Sequence, residues 1–328
     1  MVCAGYPISR TPQFQRIDFM KAVAYFSYGG PEVMQLAEVP EPVATPGHAV
    51  VKIEAASINP VDWKLRGGIM RLVMGNEFPR IMGADLAGVV QSINGESDLK
   101  AGDRVFGFAP PAQHPGSLAE FCLVPLERLA PLPKGLSMSE AAALPCVGVT
   151  AYMSLVTKGN IQAGHHVLVN GCTGGIGHVA VQIAKAYGAH VTGTCRTSSI
   201  PFAQSLGIDE IVDYTKQDIL ESKQRFDLIV ETSSSMSFLK AKKIMGRSSS
   251  FLDPDLRMQN KLFGLAGKKY YAIMADVKRP FLEVLTRLVE SGKLKPVVGQ
   301  SVPLNDAIAA ITEIEGGKSV NGKSVFTI

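Results

Sequence analysis

The stretch from Val167 to Thr194 constrains the fold more than any other part of this chain. Val167-Leu168-Val169 is a short apolar run of the buried parallel-strand kind, and Gly171 to Gly177 is glycine-rich. Ile176, Val179, Ala180, Ile183, Ala184 and Tyr187 recur at helical spacing, Gly188 stops the helix, and His190 to Thr194 opens a second strand. Strand, glycine turn, helix and strand make a βαβ unit, which commits its surroundings to a parallel, doubly wound α/β sheet. The turn suits a pyrophosphate. Gly174 lets the backbone approach the anion and Gly177 lets the helix pack closely on the strand, while free N–H groups at the helix start face the charge. Cys172 replaces the first glycine of the usual G-x-G-x-x-G, and a small side chain there still permits the turn.

The choice of dinucleotide is made at the end of the second strand, where an acid would take the ribose 2′-OH of NAD and repel a 2′-phosphate. No acid occurs from His190 to Ile200; instead Arg196 follows the strand, with Thr197, Ser198 and Ser199 beside it. A guanidinium among hydroxyls suits a phosphate, so the expected cofactor is NADP(H).

Charge and composition exclude other classes. With 328 residues, 46% hydrophobic and 19% charged, the chain is long enough for two domains with separate cores. A net charge of +4 without clustered basic residues implies neither nucleic acid nor a membrane surface, and no stretch approaches the 18 or so apolar residues of a membrane span. Cys3, Cys122, Cys146, Cys172 and Cys195 are widely spaced, odd in number and without a C-x-x-C, which argues against a disulfide framework and fits a reducing compartment. Residues 1–19 lack the apolar core of a signal peptide; they carry Arg10 and Arg16 with no acid before Asp18. The expectation is a disordered extension on a cytoplasmic protein, with a short organelle-targeting arm as the other reading.

From Met20 the texture is all-β. Lys21 to Ser27 and Ala49 to Ala55 read as strands, and short strands broken by Gly and Pro continue to Pro131-Leu132-Pro133, which marks a boundary. After Ser137 short helices and apolar strands alternate. Ser139 to Leu144 starts a helix with Ser137 or Ser139 as its cap, Phe202 to Leu206 is helical, Glu210 to Val212 and Phe226 to Glu231 are strands, and Pro280 to Glu290 is a helix. A helix over Asp306 to Ile314 and a strand over Lys323 to Ile328 close the chain.

These blocks, in this order, resemble the zinc-independent quinone oxidoreductase branch of the medium-chain dehydrogenase/reductase superfamily. The likeness is carried by Asn59-Pro60-Val61-Asp62-Trp63-Lys64, Gly83 to Val90, Gly102-Asp103-Arg104-Val105, Gly116 to Phe121, Glu140 to Pro145, Gly174 to His178 and Gly322-Lys323. It implies an α/β protein with a GroES-like β-barrel substrate domain over 20–136, a doubly wound Rossmann domain over 137–293, and a return to the barrel over 294–328. It further implies NADPH-dependent reduction of an enone or quinone substrate in the cleft between them, and a homodimer. Zinc relatives ligate their metal at three of these blocks, where this chain has Asn59, Ala84 and Cys146, so no metal site is expected.

The same likeness supplies candidate site residues. Lys64 is the first candidate to steady an enolate oxygen, the alternative being a barrel-surface lysine. Asn59 either donates a hydrogen bond to substrate or nicotinamide ribose, or is a turn residue before Pro60. Asp62 orients a neighbour or caps a helix rather than abstracting a proton. Thr173, Gly174, Gly175, Ile176 and Gly177 hold the pyrophosphate, Arg196 and Ser198 the 2′-phosphate, Tyr214 either lines the adenine side or is a packed surface tyrosine, and Lys323 reaches the cofactor from the C-terminal turn. His178 is structural. Two departures stand out: Arg66-Gly67-Gly68-Ile69 lacks the tyrosine of the Arg-x-Gly-x-Tyr that many quinone reductases carry here, and Ser233-Ser234-Ser235 replaces a pair of glycines. They leave open a second reading, an NADPH-binding sensor or structural protein without turnover. The cleft walls expected near Met70 to Met74 and Phe251 to Phe263 are apolar.

Overall fold

The computed structural model describes residues 18–110, 116–254 and 269–328. Most of the expected extension and much of the wall at Phe251 to Phe263 lie outside the described residues. The first strand, Phe19–Tyr25, starts slightly before the expected boundary and pairs antiparallel with Met34–Pro40 and Arg80–Ile81 in a small sheet.

The larger sheet of the first domain is organised on His48–Ser57, the ten-residue strand that runs through its centre. It pairs with Asp85–Asn94, Phe121–Pro125 and Lys323–Thr327, and the sheet continues outward through Arg104–Phe108 to Leu129–Pro131 and through Lys323–Thr327 to Val298–Pro303. Val23, Val51, Ile53, Leu86, Val105 and Phe326 fill its interior. The register matters for function. Ser57 lies opposite both Asp85 and Val325, which delivers Lys323, two residues earlier, to the place where the chain turns into Ile58 and Asn59.

The second domain is a six-stranded, wholly parallel sheet. In space the strands run Glu210–Asp213, His190–Cys195, His166–Asn170, Phe226–Glu231, Met245–Asp253 and Tyr270–Ala272. The order reverses between His166–Asn170 and Phe226–Glu231, the switch point where doubly wound sheets bind ligands. Helix Gly175–Ala186 buries Val179, Ala180, Ile183 and Ala184, the expected apolar stripe. Ser137 caps the helix Met138–Ala142: its hydroxyl accepts from the Glu140 N–H at 3.2 Å, and Glu140 accepts from the Ser137 N–H at 2.9 Å. Helix Pro145–Tyr152 runs on from there and packs on Gly175–Ala186.

Strands Met34–Pro40 and Met245–Asp253 were not legible as strands. The second is Gly-Arg-Ser-rich at its start; tertiary pairing with Phe226–Glu231 overrides that weak local preference. Among the described residues, no helix is long and apolar enough to cross a membrane.

Candidate active site

The glycine turn has the geometry that its sequence requires. A Cβ on Gly177 would collide with the Gly171 carbonyl, so that residue's missing side chain is what lets helix and strand meet. Gly174, the extended N-cap of the helix, faces open space: a Cβ there would find only Gly171 O, at 3.6 Å. Cys172 is accommodated by its neighbour strand. A Cβ on Gly193 would lie 2.8 Å from the Cys172 sulfur, so the glycine missing from the turn has a counterpart one strand away. Burial pushes the Cys172 thiol far above its ordinary range, and it stays neutral.

Behind the turn a polar chain crosses the switch point. Thr194 Oγ1 accepts from the Gly171 N–H at 2.9 Å and donates to Asn170 Oδ1 at 2.5 Å; Asn170 Nδ2 donates to Glu231 Oε2 at 2.6 Å. Ser233 donates to Glu231 Oε1 at 2.7 Å, so the serine loop is anchored on a buried carboxylate whose pKa burial raises and whose donors oppose that rise. Ser234 takes the left-handed φ of +59° that a glycine would adopt without cost. Beside this chain lies a cavity of about 380 Å³ lined by Asn170, Thr194, Tyr214, Ile219, Ser235 and Lys240.

Tyr214 stands at the rim of that cavity, and its N–H donates to Cys195 O at 3.1 Å, next to Arg196. Arg196 is exposed; among the described residues Nε and Nη2 make long contacts, 3.4 Å each, to Ser199 Oγ and Ser319 O. Ser198 is exposed, whereas Ser199 is buried and donates to Asn321 Oδ1 at 2.9 Å. Asp213, on the adjoining strand, accepts from Thr197 and Thr215 hydroxyls at 2.5 and 2.7 Å, which hold its carboxyl at about 2. His178 is buried within the cofactor helix: Val297 N–H donates to its Nε2 at 3.1 Å, which leaves Nδ1 to donate to Gly174 O at 3.0 Å.

On the barrel side, Asn59 N-caps the helix Pro60–Arg66, and its N–H donates to Asp62 Oδ2 at 2.7 Å. The other Asp62 oxygen is buried without a hydrogen-bond partner among the described residues, and burial, the largest influence, raises this carboxyl to about 7. Asn59 Nδ2 donates to Asp85 at 2.8 Å; Asp85 also accepts from Ser57 Oγ at 3.0 Å and from the Cys146 N–H at 2.8 Å. Lys323 lies beside the glycine turn with its ammonium directed to the barrel. Its stem lies against Gly175, whose Cβ would be 3.1 Å from Lys323 Cδ, while Nζ donates to Ile58 O at 2.5 Å and Asn59 Oδ1 at 2.7 Å, 3.7 Å from Asp85. Lys64 is half-buried on the same short helix as Asp62.

The structure thus brings Asn59, Asp62 and Lys323 together and sets Tyr214 beside Arg196. Sequence reasoning missed Asp85. The available signal was its place as the only acid in Ile81 to Val90, one residue after Ala84.

Comparison with known proteins agrees with this architecture. Residues 45–134 match the alcohol dehydrogenase GroES-like domain and residues 206–325 match the zinc-binding dehydrogenase family. The chain is 32% identical to the chloroplast envelope quinone oxidoreductase homolog of Arabidopsis thaliana, over 94% of this chain and 97% of that protein. It is 33% identical to 2-methylene-furan-3-one reductase of Solanum lycopersicum, over 94% and 79%. The structure of the quinone oxidoreductase from Coxiella burnetii superposes with a TM-score of 0.87 at 26% identity, covering 95% of this chain and all of that one. The chain therefore belongs to the medium-chain dehydrogenase/reductase superfamily, among its quinone oxidoreductase homologues, and is an oxidoreductase built for a nicotinamide cofactor.

Proposed function

We propose that this protein uses NADPH to reduce the C=C bond of an α,β-unsaturated carbonyl, or a quinone, without zinc. The observation that carries the reading is the cluster around Asp85. Of the three positions that zinc relatives use as ligands, Asn59 is committed to Asp85 and Lys323, Ala84 has no donor, and Cys146 offers a thiol that burial, with Asp85 nearby, keeps protonated. That set does not fit a catalytic zinc, which needs three donors. Conjugate reduction tolerates this, because an enone spreads developing charge onto its own oxygen and needs positioning more than a Lewis acid.

The bound nicotinamide supplies hydride. Thr173, Gly174, Gly175 and Ile176 hold the pyrophosphate at a helix N-terminus, with Gly177 keeping the turn tight. Arg196, with Ser198 beside it, takes the 2′-phosphate, an assignment supported by its exposure and long, easily exchanged contacts. Tyr214 covers the adenine side of the cavity. Asn59 orients substrate or the nicotinamide ribose, Lys64 steadies the enolate oxygen, and Asp62 holds the N-terminus of the helix that carries Lys64. Family likeness supports a homodimer, which sedimentation would check.

The test is NADPH oxidation against a 2-alkenal, a cyclic enone, a 1,2-quinone and a 1,4-quinone, repeated with NADH. Turnover of any of them with NADPH preference supports the reading. Tight NADPH binding with silence across the panel supports the alternative, a cofactor-binding protein without turnover.

A further inference from the structure

We infer that Asp85 is a positioning residue: together with Lys323 it locks the Asn59 side-chain amide in one orientation and ties that orientation to the elements that carry the glycine turn. The inference deepens the proposed function and rests on Asn59 meeting the nicotinamide ribose or the substrate.

The lock follows from donor and acceptor types. An ammonium only donates. Burial raises the Asp85 carboxyl, Lys323 and the donors Asn59, Cys146 and Ser57 oppose that rise, and both its oxygens accept here. With Lys323 Nζ at 2.7 Å from Oδ1 and Asp85 Oδ2 at 2.8 Å from Nδ2, the Asn59 amide has a single satisfactory orientation. A flipped amide would set its NH₂ against the ammonium and its oxygen against the carboxylate. Of the two Nδ2 hydrogens one goes to Asp85, and the lock fixes the direction of the other.

The lock is made of parts from across the fold. Ser57, Asn59 and Asp85 belong to the barrel, but Cys146 N–H, which donates to Asp85 Oδ1 at 2.8 Å, begins the helix that packs on the cofactor helix. Lys323 follows Gly322, whose N–H donates to Thr173 O at 2.8 Å in the pyrophosphate turn. Asp85 is therefore bonded on one side to the residue that meets the reactants, and on the other to elements that carry the cofactor. Ser57, Asn59, Asp85 and Lys323 are all buried: Asp85 is 0% exposed and Asn59 3%.

The experiment compares Asp85→Asn, Asn59→Ala and the double variant. Asp85→Asn keeps the shape and removes the charge. The expected result is a fall in kcat of about tenfold to a hundredfold, the range for mispositioned reacting groups. The NADPH Kd, read from quenching of the single tryptophan, Trp63, on the Asn59 helix, should stay within about twofold, because Asp85 touches no pyrophosphate contact. In the Asn59→Ala background, Asp85→Asn should cost less than about twofold further, since both changes remove one function. Unchanged kcat in Asp85→Asn, or the same loss in both backgrounds, overturns the inference and reduces Asp85 to fold support.

A second measurement needs neither turnover nor a folded variant. In the ¹⁵N-labelled wild-type protein, the Asn59 side-chain NH₂ should give two widely separated proton signals, with slow solvent exchange for the one on Asp85. Coincident, fast-exchanging signals overturn the lock. Silence of the wild type on the substrate panel would overturn the proposed function instead, and the NMR signature would still decide on the lock.

Discussion

Lys323 Nζ lies 2.7 Å from Oδ1 of Asn59, a residue 264 positions earlier in the chain. The contact closes the barrel around a buried cation that faces Asp85 at 3.7 Å. Removing one member of such a pair leaves the other charge buried and uncompensated. Lys323→Met should lower unfolding stability by about 3–5 kcal/mol, and adding Asp85→Asn should restore part of the loss. Urea denaturation of the two variants checks this; a double variant less stable than Lys323→Met alone contradicts it.

Gly174 and Gly177 should respond differently to alanine. At Gly177 the Cβ meets backbone, the Gly171 carbonyl and Cys172, which cannot step aside. Gly177→Ala should cost at least about 1–3 kcal/mol of stability, as overpacking does. At Gly174 the Cβ points into open space, so the fold should be untouched while the surface offered to the pyrophosphate is obstructed. Melting temperature and NADPH Kd, measured on both, separate the two roles.

Arg196→Ala tests the cofactor choice. A charge-assisted contact to a phosphate contributes about 1.5–3 kcal/mol, so the NADPH KM should rise about tenfold to a hundredfold. NADH, which lacks the phosphate, should be affected little. An unchanged NADPH KM removes Arg196 from the site and places the phosphate elsewhere along the cavity rim.

These contrasts also mark what was readable before any fold was in view. The βαβ unit was legible because its signals are local: apolar strand, glycines and helical period all fall within Val167 to Thr194. The Ser137 cap was legible for the same reason. The role of Lys323 was not, because its partners Ile58, Asn59 and Asp85 come from the far end of the chain and are reached through a strand register that no local signal specifies. Likewise Gly193 makes room for Cys172, a compensation visible only when neighbouring strands are laid side by side.

Asp62 provides a pH signature. Its folded carboxyl is raised from 3.8 to about 7 by burial, so the folded state keeps a proton that the unfolded chain releases. The stabilisation this gives is complete below 3.8 and is lost as pH rises through about 7. Asp62→Asn preserves an oxygen for the Asn59 N–H and cannot ionise. That variant should lose less stability than wild type between pH 4 and pH 7.5, as read from urea midpoints across about that range.

His178 gives the opposite sign. Burial lowers its folded pKa from 6.5 to about 4, so in that interval the unfolded chain binds a proton that the folded protein refuses. Stability should therefore fall as pH drops from 6.5 towards 4 and level off below, with a total on the order of 3 kcal/mol from the linkage relation. Protonation would also set a second N–H of the ring against the Val297 N–H that now donates to Nε2, opening the joint between the cofactor helix and the C-terminal return. Because Nδ1 is bonded to Gly174 O in the pyrophosphate turn, cofactor affinity should weaken along with stability. His178→Gln retains one donor and one acceptor but has no proton to gain, and should flatten both slopes. If its urea midpoints and NADPH Kd still follow the wild-type pH curve, the acid sensitivity originates elsewhere in the chain.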